Sequence, residues 1–216
     1  MSRKLETNVI KPETKFKYLD VEYNLISEES ENLLDERIRE VRDYTIENHG
    51  KGKTNSEKDN LYLESQKLWK SFIDVLEKTK YNFYLNKDQW KFLTDLILTK
   101  LEYDVNSVFF AIELKELLSD MKNTKITSEI VAFPVTATEI TYIYHLISTH
   151  KVKGLSKDSF LFSEILLKIG SISKIFNYYD ATGKNLSSDI QDWVATFEEG
   201  VDFDTVVKAS VAEPTN

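Results

Sequence analysis

The sequence has no cysteine, which excludes a disulfide scaffold, a thiolate nucleophile and any cysteine-based zinc site. Histidine is almost as scarce. The three present, His49, His145 and His150, form neither a cysteine–histidine constellation nor the two-histidine helical motif of zinc hydrolases. Long apolar runs are missing too. The most apolar stretch, residues 160–175, is interrupted by Ser163, Glu164, Lys168, Gly170 and Lys174, so no membrane span is expected. Residues 1–12 lack the continuous apolar stretch of a secretory signal, and a soluble, cytoplasmic protein is expected. Positive charge is in deficit, 28 Lys+Arg against 36 Asp+Glu, which argues against a dedicated nucleic-acid coat. Arginine is limited to Arg3, Arg37, Arg39 and Arg42. Together with abundant Lys, Asn, Ile, Tyr and Phe this is the bias of an AT-rich genome, a bacteriophage's or a bacterium's, and host cytoplasm or virion is the expected location if the chain is phage-encoded.

What is present is ordinary globular composition: 216 residues, 41% hydrophobic and 30% charged, enough for one domain or two small ones. Alternation over 16–26 predicts a half-buried strand. Glu28, Glu29 and Glu31 then favour a helix N-terminus, and Leu34, Ile38, Val41 and Tyr44/Thr45 continue it to about residue 48. After the polar segment 49–55, Leu61, Leu68, Phe72 and Val75/Leu76 predict a second helix from about Ser56, completing a hairpin.

The most informative pattern is an internal repeat at an offset of fifty residues. Placing Leu85 over Val135 brings Asn86 onto Thr136, Gln89 onto Glu139, Trp90 onto Ile140, Leu93 onto Ile143, Leu96 onto Leu146 and Ile97 onto Ile147. Each copy opens with a strand-like pentad. A capping box follows, in which side chain and backbone satisfy orphan N–H groups reciprocally at a helix start. A second apolar helix is expected in each copy, with Val108, Phe109, Ile112 and Lys115 answering Leu161, Phe162, Ile165 and Lys168. The reading is mainly α with short strands near 16–26, 80–85 and 128–135, built of helical hairpins as two stacked strand-helix-turn-helix repeats. Its segments are a strand and hairpin (1–80), repeat unit one (81–126), repeat unit two (127–183), and a C-terminal helix and tail (184–216), within one domain overall. Gly183 is expected to end a helix near Asp180, with Ser187 or Ser188 capping the next one over Ile190, Trp193, Val194 and Phe197. The apolar residues Val201, Phe203, Val206 and Val207 beyond it are sufficient to dock an arm.

Two local motifs invite chemistry and fail it. Gly50-Lys51-Gly52-Lys53-Thr54 ends like a phosphate-binding loop, but Glu47 stands where that loop needs glycine, and a helix rather than a strand precedes it. In 180–186 the glycine falls at the fourth rather than the sixth place of a calcium loop, and the bidentate glutamate is missing. His145 and His150, five apart on one predicted helix, point about 140° away from each other and cannot share a metal. No catalytic, cofactor-binding or metal-ligating residue is therefore expected, and the chain reads as a non-enzyme. Trp69, Trp90 and Trp193 read as core.

Two residue groups are candidates for partner binding. From His145 to Lys184 there are six lysines against three acids, whereas from Tyr81 to Lys122 five lysines face seven acids. Lys151, Lys153 and Lys157, in the turn of the second copy, could face an acidic partner surface or nucleic acid. The apolar helix around 160–169 is expected to be buried, which weakens a nucleic-acid role. Tyr142, Tyr144 and Tyr178 belong to tyrosine pairs that a helix cannot bury entirely. The leading expectation is a non-catalytic protein-interaction or structural and assembly component acting on a protein partner or by self-association. The alternative is a regulatory nucleic-acid or transcription-associated factor using the turn at 151–157.

Overall fold

A computed structural model describes residues 10–18, 20–48, 54–100, 105–123, 129–148, 150–151 and 154–198. The chain is mainly α-helical with two small antiparallel strand pairs. In order it runs β1 (Lys15–Tyr18), β2 (Val21–Asn24), α1 (Glu28–Asn48), α2 (Asn55–Lys78), β3 (Tyr81–Asn86) and α3 (Lys87–Asp95). A π-helical turn (Leu96–Lys100), α4 (Val105–Glu113), α5 (Lys115–Asn123), β4 (Ile130–Val135), α6 (Ala137–Ser148) and α7 (Lys157–Glu198) complete it. The chain divides into two units, one of residues 1–10, 32–76 and 179–216, the other of residues 11–31 and 77–178.

The first unit is helical. Leu34, Ile38, Val41 and Thr45 recur on α1 at spacings of three and four and are buried, which places one stripe of the helix inward. Phe72 and Leu76 of α2 and Tyr179, Leu186 and Ile190 of α7 complete the core. The expected break at Gly183 does not occur, and α7 runs unbroken from Lys157 to Glu198. Glycine is needed there for proximity: a Cβ on Gly183 would lie 2.6 Å from Phe72 Cε1, and Trp69 Nε1 donates to the Gly183 carbonyl at 2.9 Å. The residue that reads locally as a helix stop instead admits α2. The Tyr179 hydroxyl bonds Asp35 Oδ1 at 3.1 Å, tying α7 to α1.

In the second unit the expected single strand at 16–26 is a hairpin, with Phe16 opposite Tyr23 and the turn completed by Asp20 at φ 63°. Aspartate tolerates this left-handed conformation because its short carboxylate can bond nearby backbone, so the alternation continues across the turn and hides it from a period count. β3 pairs with β4 in the register Tyr81↔Val135, Phe83↔Phe133 and Leu85↔Val131. Tyr81, Phe83 and Leu85 are buried on one face, together with Phe133 and Val135. On its other side β3 is bridged by Ile26, and Asn82 N donates to Leu25 O at 2.8 Å.

Both capping boxes form. Asn86 Oδ1 accepts from Gln89 N at 2.9 Å while Gln89 Oε1 accepts from Asn86 N at 3.1 Å. Thr136 Oγ1 accepts from Glu139 N at 3.2 Å while Glu139 Oε2 accepts from Thr136 N at 2.6 Å. Three apolar pairs matched by the repeat are buried in both copies, Leu93 with Ile143, Leu96 with Leu146 and Ile97 with Ile147, while Trp90 is only partly buried where Ile140 is fully so. Equivalence ends at the second helices. In copy one these are the short α4 and α5, whereas copy two continues into the 42-residue α7.

Candidate interaction surface

The turn before α7 is built locally. Gly154 adopts φ 67°, Ser156 Oγ accepts from Ser159 N at 3.3 Å, and Ser159 Oγ donates to Gly154 O at 2.6 Å, capping α7. Lys151 is exposed on this turn, and Lys153 lies outside the described residues. Lys157 bonds Asp88 Oδ2 at 2.7 Å; the pairing holds the Asp88 carboxyl below its ordinary pKa and raises the lysine's. Lys157 therefore joins the start of α7 to the first turn of α3.

Among the tyrosines, Tyr142 packs on Phe110 with ring centroids 4.9 Å apart, in the same group where His145 stacks on Phe110 at 5.4 Å. Tyr144 is exposed and Tyr178 half-buried. His150 meets the edge of Phe162, so the two histidines serve different aromatic contacts. Among the described residues no group of three His, Asp or Glu side chains could hold a metal ion, and no helix is long and apolar enough to cross a membrane. Trp90 Nε1 donates to Met121 O at 2.6 Å, in keeping with a packing role, and the Trp193 side chain lies outside the described residues.

A polar knot links the two repeat copies. Lys168 Nζ donates to Gln89 Oε1 at 2.6 Å, Gln89 Nε2 donates to Glu164 Oε2 at 2.5 Å, and the lysine lies 5.1 Å from the centre of the Phe16 ring. Burial lowers the Lys168 pKa to about 8, opposed by the Glu164 carboxylate. Lys168 is buried, as is Gln89, so the knot fixes α7 against α3. In a cleft of about 600 Å³ beside β1, Lys11 pairs with Glu31 at 2.8 Å and Lys15 with Glu22 at 3.1 Å.

The surface that sequence reasoning missed is on α4. Phe110 is turned toward α6 and Leu114 is buried, while Phe109 is 61% and Ile112 58% exposed, with Val108 beside them. The residues matched across the repeat differ in burial here: Ile165 and Lys168 of α7 are buried, whereas their counterparts Ile112 and Lys115 are exposed. α7 also departs from the buried helix expected over 160–169, since Phe160 and Leu167 are exposed. A helix reading Val-Phe-Phe-Ala-Ile is apolar on every side, so periodicity could not say which side faces inward. Alongside α4 lies a groove of about 470 Å³ with Ile97, Leu98, Ala111 and Leu118 in its walls and Lys115 and Lys122 at its edge.

Compared with known proteins, the chain matches no family model, no curated protein and no solved structure.

Proposed function

We propose that this chain is a non-catalytic protein-interaction component, a structural or assembly part that works through contacts with a protein partner or with other copies of itself. The observation that carries the reading is the exposed apolar face of α4, where Phe109 and Ile112 stand in solvent beside an apolar groove. Soluble chains rarely keep clustered large apolar side chains in water without a use for them, because burying each such side chain is worth about 1.5–3 kcal/mol. The lysine-over-arginine bias supports an AT-rich, bacteriophage-like source and with it a place in host cytoplasm or virion. The nucleic-acid alternative draws less support, since Lys157 is already paired with Asp88.

The test is a photo-cross-linking residue in place of Phe109, carried by the full chain in its native cells. One reproducible protein adduct, the chain itself included, is expected from position 109 and none from the exposed Glu47 position. Absence of any adduct from position 109 overturns the reading.

A further inference from the structure

The groove takes one wall residue from α4, Ala111, and the partly exposed Val108 lies three positions before it on the same side of that helix. Ile97 and Leu118 are buried at the groove's base. Among the described residues its charged lining groups are the exposed Lys115 and Lys122, about two helical turns apart on α5, and no described carboxylate lines it. An occupant must therefore bring apolar anchors interleaved with acids: apolar groups alone leave the lysines unmatched, and a basic segment is repelled. The exposed apolar surface here is on the order of a few hundred Å², below the ~800 Å² per side of a stable interface between globular surfaces. That size suits a single peptide segment laid in a groove.

The chain's own sequence holds such a segment. Residues 198–207 read EEGVDFDTVV, with four carboxylates (Glu198, Glu199, Asp202, Asp204) and four apolar residues (Val201, Phe203, Val206, Val207) and no basic residue. The other strongly acidic run, at the start of α1, has its apolar Leu34 already committed to the core. We infer that the groove edged by Lys115 and Lys122 receives residues 198–207 of a second copy of the chain. This rests on the interaction reading above and names its partner. Because the two contacting surfaces differ, the contact is heterologous and repeats from copy to copy into a ring or an open filament.

The test uses the full chain in sedimentation velocity over a hundredfold concentration range at low and moderate salt. Average mass is expected to grow with concentration for the unaltered chain and to grow less as salt rises. Lys115→Glu with Lys122→Glu, and separately Asp202→Lys with Asp204→Lys, are each expected to weaken association by about tenfold or more, since each sets like charges against one another. Mixing the two charge-reversed chains restores association, because groove and segment are again opposite in sign at every contact between unlike chains. All four positions are charged, and Lys115 and Lys122 are exposed, so an unchanged circular dichroism spectrum is expected of both variants. A monomer at every concentration, association indifferent to both reversals, or no rescue on mixing overturns the inference. A monomer that still yields a foreign adduct from position 109 overturns it while leaving the interaction reading intact.

Discussion

Phe83 and Phe133 stand directly opposite one another in the β3–β4 ladder, and each is the other's counterpart at the fifty-residue offset of the repeat. The local axis that exchanges two antiparallel strands passes through an opposed pair, and here it passes through equivalent residues. The two copies thus meet about an approximate two-fold axis at their strands, and their capping boxes start α3 and α6 at equivalent places. Both phenylalanines are buried. Phe83→Ala and Phe133→Ala are each expected to lower unfolding free energy by about 3–5 kcal/mol in denaturant titration. The double variant should depart from additivity by about 0.5 kcal/mol or more, and strict additivity would mean that the pair does not share one packed site.

Gly170 and Gly183 lie in the same helix and should respond oppositely to alanine. Nothing lies within 4 Å of a Cβ built on Gly170, so Gly170→Ala gains helix propensity at no steric cost, about 0.5–1 kcal/mol of added stability. At Gly183 the new methyl meets the buried Phe72 ring at 2.6 Å. The overpacking, about 1–3 kcal/mol, exceeds the propensity gain, and thermal melting should show Tm falling for Gly183→Ala and rising for Gly170→Ala.

Stability should climb at mildly alkaline pH. Lys168 titrates near pH 8 when folded against its ordinary 10.5, so between those values the unfolded chain binds more protons, and folding becomes more favourable as pH rises through that window. Gln89, Glu164 and the Phe16 ring are the groups that meet it. Above about pH 10 the trend reverses, because burial holds the Tyr81 pKa above its ordinary value and the unfolded chain then releases a proton that the folded chain keeps. Denaturant midpoints measured from pH 7 to 11 should show the rise and the fall, with Lys168→Met removing the rise and Tyr81→Phe softening the fall. The Tyr81 hydroxyl is buried without a partner among the described residues, so Tyr81→Phe should also add about 1 kcal/mol at neutral pH.

Much of the architecture was legible wherever a local signal had one physical meaning. Acidic residues at a helix start, the capping boxes at Asn86 and Thr136, and the stripe Leu34, Ile38, Val41 on α1 all reported correctly because each depends on residues within a few positions of one another. Gly183 misled because its reason lies 111 positions away, in Phe72. Asp20 hid a turn that aspartate, unlike most residues, enters at small cost. The candidate surface was the least legible part. Tyrosine pairs and a lysine-bearing turn were visible as types, yet the aromatic contact of Tyr142 with Phe110 and the pairing of Lys157 with Asp88 are tertiary facts. The outward turn of Phe109 and Ile112 likewise depends on Phe110 and Leu114 facing inward, and a helix apolar on all sides does not announce that choice.

Pro134 sits in β4 opposite Asn82, on the strand that borders only β3 among the described residues. Proline has no N–H to offer an incoming strand, so it blunts an open edge that could otherwise template amyloid-like stacking. The far side of β3 is occupied by Leu25 and Ile26. The chain thereby carries a safeguard against pairing through its backbone, a contact that would read no side chain and so would be indiscriminate.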